Sequence, residues 1–322
     1  MMPSWQSRIL QLFIRLKMKR HVTGTEQQLV AFARKHMDDK RLAARLTPKD
    51  VRIRAVQEDG VKGEWVWWEG ENDPHVIFYL HGGGYVACSP ENYRPFTAEL
   101  SKQAKARVFA LDYRLAPEHR FPAPIEDATQ AYRWLLAQGI APHRIIIGGD
   151  SAGGGLTIAT LVALRDAGVP LPALTFCFSP WTDLAATGVS YVTNARRDPM
   201  FHAETFRPIA GIYLNGAAAT NPLASPLYAD LTGLPPLHAF VSNTEVLYDD
   251  AVGLIARAEQ YGVEARLHIA DRQPHVWPIF VGMIPEAPVT IGEVAELIER
   301  KVKLKSLGQV ASTFSGVERI SA

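Results

Sequence analysis

Residues 144–155 read RIIIGGDSAGGG and run directly into LTIATLVALRDAG. A flexible linker is also glycine-rich, but it does not join an apolar strand-like run to a helical pattern. The spacing Gly149-x-Ser151-x-Gly153 between strand and helix is that of a nucleophile elbow. Such a turn leaves no room for side chains two positions before and after the serine. Strain in the serine backbone raises its hydroxyl above the sheet edge. The N–H groups opening the next helix face any negative charge that forms there. A tight turn with an incidental serine would use the same letters, so this stretch alone leaves both readings open.

A second glycine cluster follows another apolar run. Residues 76–86 read VIFYLHGGGYV. Consecutive glycines let the backbone approach a ligand closely, and donors aimed at the oxyanion of acyl transfer each supply roughly 3–4 kcal/mol. The expected donors are the N–H groups of Gly83, Gly84 and Ala152. His81 is read as a brace for the loop.

The rest of the chain supplies the fold. Apolar runs VRIRAV, HVIFYL, ARVFALDY, HRIIIG, ALTFCFS, LHAFVSN and EARLHIA read as strands, several continuous rather than alternating, as in parallel strands covered on both faces. Helical stretches such as EDATQAYRWLLAQG lie between them. This alternation predicts an α/β protein with a mostly parallel central sheet flanked by helices. Residues 1–47 carry two amphipathic helical stretches. The strand–helix alternation runs through residues 48–182 and 223–305, the mostly helical segment 183–222 reads as a lid-sized insertion, and 306–322 as a loose polar tail.

Composition narrows the function classes. The 322 residues hold 34 basic and 33 acidic side chains, a formal charge of +1. That balance offers no basic footprint for nucleic acid, and no G-x-G-x-x-G or G-x-x-x-x-G-K marks a nucleotide site. Cys88 and Cys177 belong to no CxxC pair and read as small buried residues. A cytoplasmic location is the expectation, with no stable membrane insertion, because no run of 18 or so apolar residues occurs. The cationic N-terminus has apolar residues at Trp5, Ile9, Leu12, Phe13 and Leu16. A basic amphipathic helix can lie on a membrane; here it is expected to pack on its own protein.

HGGGY at 81–85, DYRLAPEH at 112–119 and GDSAGG at 149–154 occur together and in this order. This combination resembles the hormone-sensitive-lipase family of α/β-hydrolases, in particular its bacterial family IV esterases. The resemblance spans roughly residues 50–300, including FPAPIEDA and SPLYADLTGLPPL. It implies an α/β-hydrolase catalytic domain over 48–182 and 223–305, a helical cap built from 1–47 and the insertion 183–222, and hydrolysis of carboxylic esters with short to medium acyl chains without a cofactor. It also makes a homodimer through the sheet edge near the last strand plausible. The residue spacing shows no metal signature.

In this fold the triad follows the chain order serine, acid, histidine. EARLHIADRQPHVWPIF offers His268, within a strand pattern, and His275, in the loop beyond it. The family's late histidine precedes an apolar and aromatic pair, which Val276 and Trp277 match, so His275 is the expected base. The acid is less settled. TEVLYDDA departs from the family's aspartate-proline-leucine, and alignment on Leu247 favours Glu245, with Asp249 the alternative. Asp249 and Asp250 also suit a helix first turn for structural reasons. Met200, Phe201, Phe206 and Tyr213 are expected to line an acyl pocket under the cap. Asp112, Arg114, Glu118 and His119 are read as a salt-bridged scaffold, and Asp150 as a local hydrogen-bond anchor. An amidase would use the same triad. A non-catalytic receptor on this fold would dispense with the histidine that His275 retains.

Overall fold

Eight strands form one sheet: β1 (Val51–Glu58), β2 (Val61–Trp68), β3 (Val76–Leu80), β4 (Arg107–Leu111), β5 (Ile145–Asp150), β6 (Leu174–Phe178), β7 (Leu237–Ser242) and β8 (Ala265–Ala270). The computed structural model describes residues 2–19, 24–69 and 75–314. The spatial order is β1-β2-β4-β3-β5-β6-β7-β8, with β2 antiparallel to both neighbours and the other pairs parallel. Strands β3, β5, β6 and β7 are buried along their whole length. Their uninterrupted apolar runs therefore reflect cover on both faces.

Ten helices accompany the sheet among the described residues: α1 (Trp5–Lys17), α2 (Glu26–Met37), α3 (Lys40–Leu46), α4 (Pro90–Ala104), α5 (Ala123–Ala137), α6 (Ala152–Asp166), α7 (Ser190–Thr193), α8 (Phe206–Leu214), α9 (Tyr248–Gln260) and α10 (Glu286–Phe314). Helices α4 and α10 pack together on one face, and α5, α6 and α9 cover the other. Arg34 of α2 ties the N-terminal helices to this body, donating to the carbonyls of Val86 and Ala116 and to Glu118. No helix among the described residues is long and apolar enough to cross a membrane.

Four sequence expectations change. Strand β2 is additional to the seven expected. It follows the Asp59-Gly60 turn, both residues at positive φ (53° and 74°), as a tight hairpin requires. Its polar Glu64 is only 4% exposed because Arg94 pairs with it at 2.8 Å. Segment 183–222 is less helical than its pattern suggests, with only α7, α8 and one 3₁₀ turn at Ala203–Thr205. There Asp183 accepts from the N–H groups of Ala185 and Thr187, and Asp198 from those of Met200 and Phe201. These side chains replace the helical carbonyls as acceptors. The expected tail at 306 is still helical to Phe314, and residues 315–322 lie outside those described.

The fourth change concerns α1. Its buried residues are Ser7, Leu10 and Ile14, whereas Trp5, Ile9, Leu12, Phe13 and Leu16 are all more than half exposed. Hydrogen bonds fix its roll: Ser4 donates to Glu286, and Ser7 Oγ donates to Gln273 Oε1 at 2.8 Å.

Candidate active site

The predicted triad and glycine-loop residues sit at the carboxyl ends of β3, β5, β7 and β8, the edge where open α/β sheets bind ligands. Ser151 sits between β5 and α6 with φ 51° and ψ −121°, a strained conformation for a residue with a Cβ. Its N–H donates to Phe178 at 2.9 Å, and its carbonyl accepts from Trp181 N–H at 2.8 Å. The flanking glycines are sterically required. A Cβ on Gly149 would lie 2.4 Å from the Gly153 carbonyl oxygen, and one on Gly153 would lie 2.1 Å from that of Leu80.

Asp150 joins this elbow to the glycine loop after β3. Its carboxylate accepts from the Tyr79 hydroxyl at 2.8 Å, the Tyr93 hydroxyl at 2.9 Å and the Gly82 N–H at 2.9 Å. Burial pushes its carboxyl up to about 6, against the pull of those donors. The sequence reading as an anchor matches this geometry. Beyond it, Gly83 and Gly84 hold φ values of 113° and 63°. Among the described residues, no hydrogen bond engages the N–H groups of Gly83, Gly84 or Ala152. His81 is 1% exposed, stacks on Tyr113 and contacts the Gly82 carbonyl at 2.7 Å. Burial pushes its imidazole down to about 4. A neutral ring packed this way braces the loop.

His275 follows β8, and Glu245 lies in the turn after β7. His275 Nδ1 and Glu245 Oε2 are 2.5 Å apart. The other carboxylate oxygen accepts from Ser242 N–H at 2.7 Å and Ser179 Oγ at 2.9 Å. Glu245 is fully buried, and burial pushes its carboxyl up. Burial disfavours a charged His275, but the Glu245 carboxylate, helped by Asp198 and Asp150, outweighs that and holds the imidazole above its ordinary value. On the far side of the ring, Nε2 is buried without a partner and faces a cavity shared with Ser151. No hydrogen bond joins it to Ser151 among the described residues, as is common before substrate binds.

The competing carboxylates point elsewhere. Asp249 accepts from Ser190 N–H at 2.8 Å, and Asp250 accepts from the N–H groups of Thr182 and Asp183. His268 contacts His238 at the sheet edge. Of Asp112, Arg114, Glu118 and His119, the first three are salt-bridged: Asp112 pairs with Lys62, Arg114 with Asp127 and Glu126, and Glu118 with Arg34. His119 joins no ion pair among the described residues, its backbone N–H donating to the Leu115 carbonyl at 2.8 Å.

Two cavities meet at Ser151. One of about 70 Å³ is lined by Trp181, Met200, Phe201, Phe206, Ile209 and the Gly83-Gly84 loop. A wider one of about 300 Å³ runs past His275 beneath α1 and α3. Met200, Phe201 and Phe206 line the first of these cavities. Tyr213 does not. It is fully buried and stacked on Tyr85 with centroids 3.9 Å apart, because its place on α8 turns the ring into the core. Ser179 and Asp198 were missed by sequence reasoning. Ser179 steadies Glu245, and Asp198 accepts from Val246 N–H next to it. Neither has a sequence signal, since both are distant in the chain from the residues they hold.

The comparisons with known proteins agree with this geometry. The family model for the alpha/beta hydrolase fold matches residues 77–279. An acetyl-hydrolase of Streptomyces hygroscopicus is 45% identical over 223 residues, 69% of this chain and 74% of the relative. An esterase of Acinetobacter venetianus is 32% identical over 255 residues, covering 78% and 84%. A crystal structure of an esterase from the bacterial hormone-sensitive lipase family superposes with a TM-score of 0.86 at 42% identity, covering 94% of this chain and 100% of that one. With a strained serine elbow, a glycine loop and these relatives in agreement, the chain belongs to the hormone-sensitive-lipase family of α/β-hydrolases and is a carboxylic ester hydrolase.

Proposed function

We propose that this esterase cleaves short- to medium-chain carboxylic esters through a Ser151–His275–Glu245 triad and an acyl-enzyme intermediate. The observation that carries the reading is the 2.5 Å contact from Glu245 to His275 Nδ1, which leaves Nε2 unpartnered beside the serine's cavity. Nδ1 then keeps its proton and Nε2 is free to take one.

In the first half-reaction Ser151 Oγ attacks the ester carbonyl and its proton passes to His275 Nε2. The negative charge on the carbonyl oxygen is met by the N–H groups of Gly83, Gly84 and Ala152. Glu245 stabilises the imidazolium. As the C–O bond to the alcohol breaks, Nε2 returns the proton to the departing oxygen. Water then repeats the sequence on the acyl-enzyme, giving the acid and free serine.

The chain-length reading rests on the cavity of about 70 Å³ and its bulky lining of Trp181, Phe201, Phe206 and Ile209. The test is turnover of p-nitrophenyl esters from two to sixteen carbons. Fastest hydrolysis among the short and medium chains supports the assignment, and a maximum beyond about twelve carbons contradicts it.

A further inference from the structure

Helix α1 turns an apolar stripe away from its own protein. Trp5, Ile9, Leu12, Phe13 and Leu16 are 68%, 59%, 59%, 51% and 66% exposed, and Met2 just before the helix is 69% exposed. At about 100° per residue these side chains fall within an arc of about 100°, opposite the buried Ser7 and Ile14. Lys17 borders one margin of the stripe, and Arg8 and Arg15 border the other. Scattered exposed apolar residues are ordinary, but a contiguous stripe marks an interaction surface. The stripe is held outward by the Ser4–Glu286 and Ser7–Gln273 bonds, and by Arg15 donating to the carbonyls of Arg196 and Arg197.

The charge of the segment selects the partner. Five of the chain's 34 basic residues and none of its 33 acidic ones fall in the first 25 positions. Two copies meeting through this stripe would bring like charges together. An anionic lipid surface satisfies both features, since the stripe enters the acyl boundary while the flanking cations meet head groups. Each cation near such a surface strengthens binding roughly fivefold, and a tryptophan at the helix start suits the interfacial layer.

We infer that α1 is a docking helix for an anionic lipid surface. Its place in the fold gives the docking a use. Leu10, Phe13, Ile14 and Lys17 also line the wider cavity that reaches Ser151 and His275, so a docked molecule holds that cavity against the lipid. Docking itself does not depend on the proposed triad; only delivery of lipid-dissolved ester to Ser151 does.

The test is flotation of the full chain with phosphatidylglycerol-containing vesicles and with phosphatidylcholine vesicles alone. The wild type is compared with Arg8→Gln and with the triple variant Ile9→Gln, Leu12→Gln, Leu16→Gln. None of these four residues lines either cavity. Wild type is expected to bind phosphatidylglycerol vesicles at least tenfold more tightly than phosphatidylcholine ones. The triple variant is expected to lose at least tenfold of that binding and Arg8→Gln several-fold, with turnover of a water-soluble ester unchanged. Wild type that stays unbound, or a triple variant that binds as well as wild type, overturns the inference. So does a wild-type dimer in sedimentation velocity that the triple variant converts to monomer. Vesicle binding by a wild type that hydrolyses no ester would count against the proposed chemistry and leave the docking standing.

Discussion

Replacing Glu245 by glutamine changes one atom of a fully buried side chain and should nearly silence the enzyme. In the wild type one carboxylate oxygen faces His275 Nδ1 at 2.5 Å, while the other accepts from Ser242 N–H at 2.7 Å and Ser179 Oγ at 2.9 Å. A glutamine that keeps its oxygen on Ser242 must aim its NH₂ at Nδ1. Nδ1 then accepts, the proton sits on Nε2, and the ring cannot receive a proton from Ser151. In a Ser-His-acid triad this tautomer error lowers kcat by roughly 10⁴-fold, equivalent to about 5.4 kcal/mol of transition-state stabilisation. Flipping the amide restores the tautomer but sets NH₂ against the buried Ser242 N–H, at roughly 3 kcal/mol. Turnover through that minor form puts the smallest loss at roughly 10²-fold. Steady-state kinetics on p-nitrophenyl butyrate, with circular dichroism to confirm folding, measures it. Asp249→Asn serves as the control and should stay within a few-fold of wild type, because Asp249 holds Ser190 instead. A folded Glu245→Gln retaining more than a tenth of kcat, or a comparable collapse in Asp249→Asn, would refute this reasoning.

Other perturbations test other parts of the site. Because Glu245 holds His275 above the ordinary imidazole value, kcat/KM should fall as pH drops through a value above about 6.5, where the base becomes protonated. Glu245→Gln should move that limb downward, and an unmoved limb in the variant's pH profile would contradict the assignment. In Gly153→Ala the new Cβ would lie 2.1 Å from the Leu80 oxygen and 2.3 Å from the His81 oxygen; wild-type turnover and an unchanged melting midpoint would show the elbow tolerates what this packing forbids. Asp150→Ala strands the buried hydroxyls of Tyr79 and Tyr93 and should destabilise the fold by roughly 2–6 kcal/mol in chemical denaturation, at roughly 1–3 kcal/mol per orphaned group. Ile209→Ala enlarges the smaller cavity at Ser151 and should shift the preferred acyl chain toward greater length across the ester series.

The elbow, the glycine loop and most of the sheet were legible because each is written locally. Gly149 and Gly153 are demanded by contacts under 3 Å with the backbone around them, and the continuous runs of β3, β5, β6 and β7 by burial on both faces. Strand β2 was not legible in the same way. Its inward Glu64 is compensated by Arg94, 30 residues along the chain, and only the fold brings that partner near. The spacing of Trp5, Ile9, Leu12, Phe13 and Leu16 correctly indicated an amphipathic helix but could not say which way the stripe faces. Long-range bonds from Ser4 to Glu286 and from Ser7 to Gln273 set that direction. Similarly, Glu245 and Asp249 were close rivals in sequence, four positions apart. Helix α9 separates them by turning Asp249 toward Ser190.

In the proposed mechanism Ser151 carries the acyl group between two half-reactions. Acid-quenching the protein within milliseconds of mixing with p-nitrophenyl butyrate, followed by peptide mass mapping, tests this directly. A butyryl mass increment is expected on the peptide containing Ser151, absent in Ser151→Ala along with turnover. An increment on another residue, or undiminished turnover by Ser151→Ala, would contradict it.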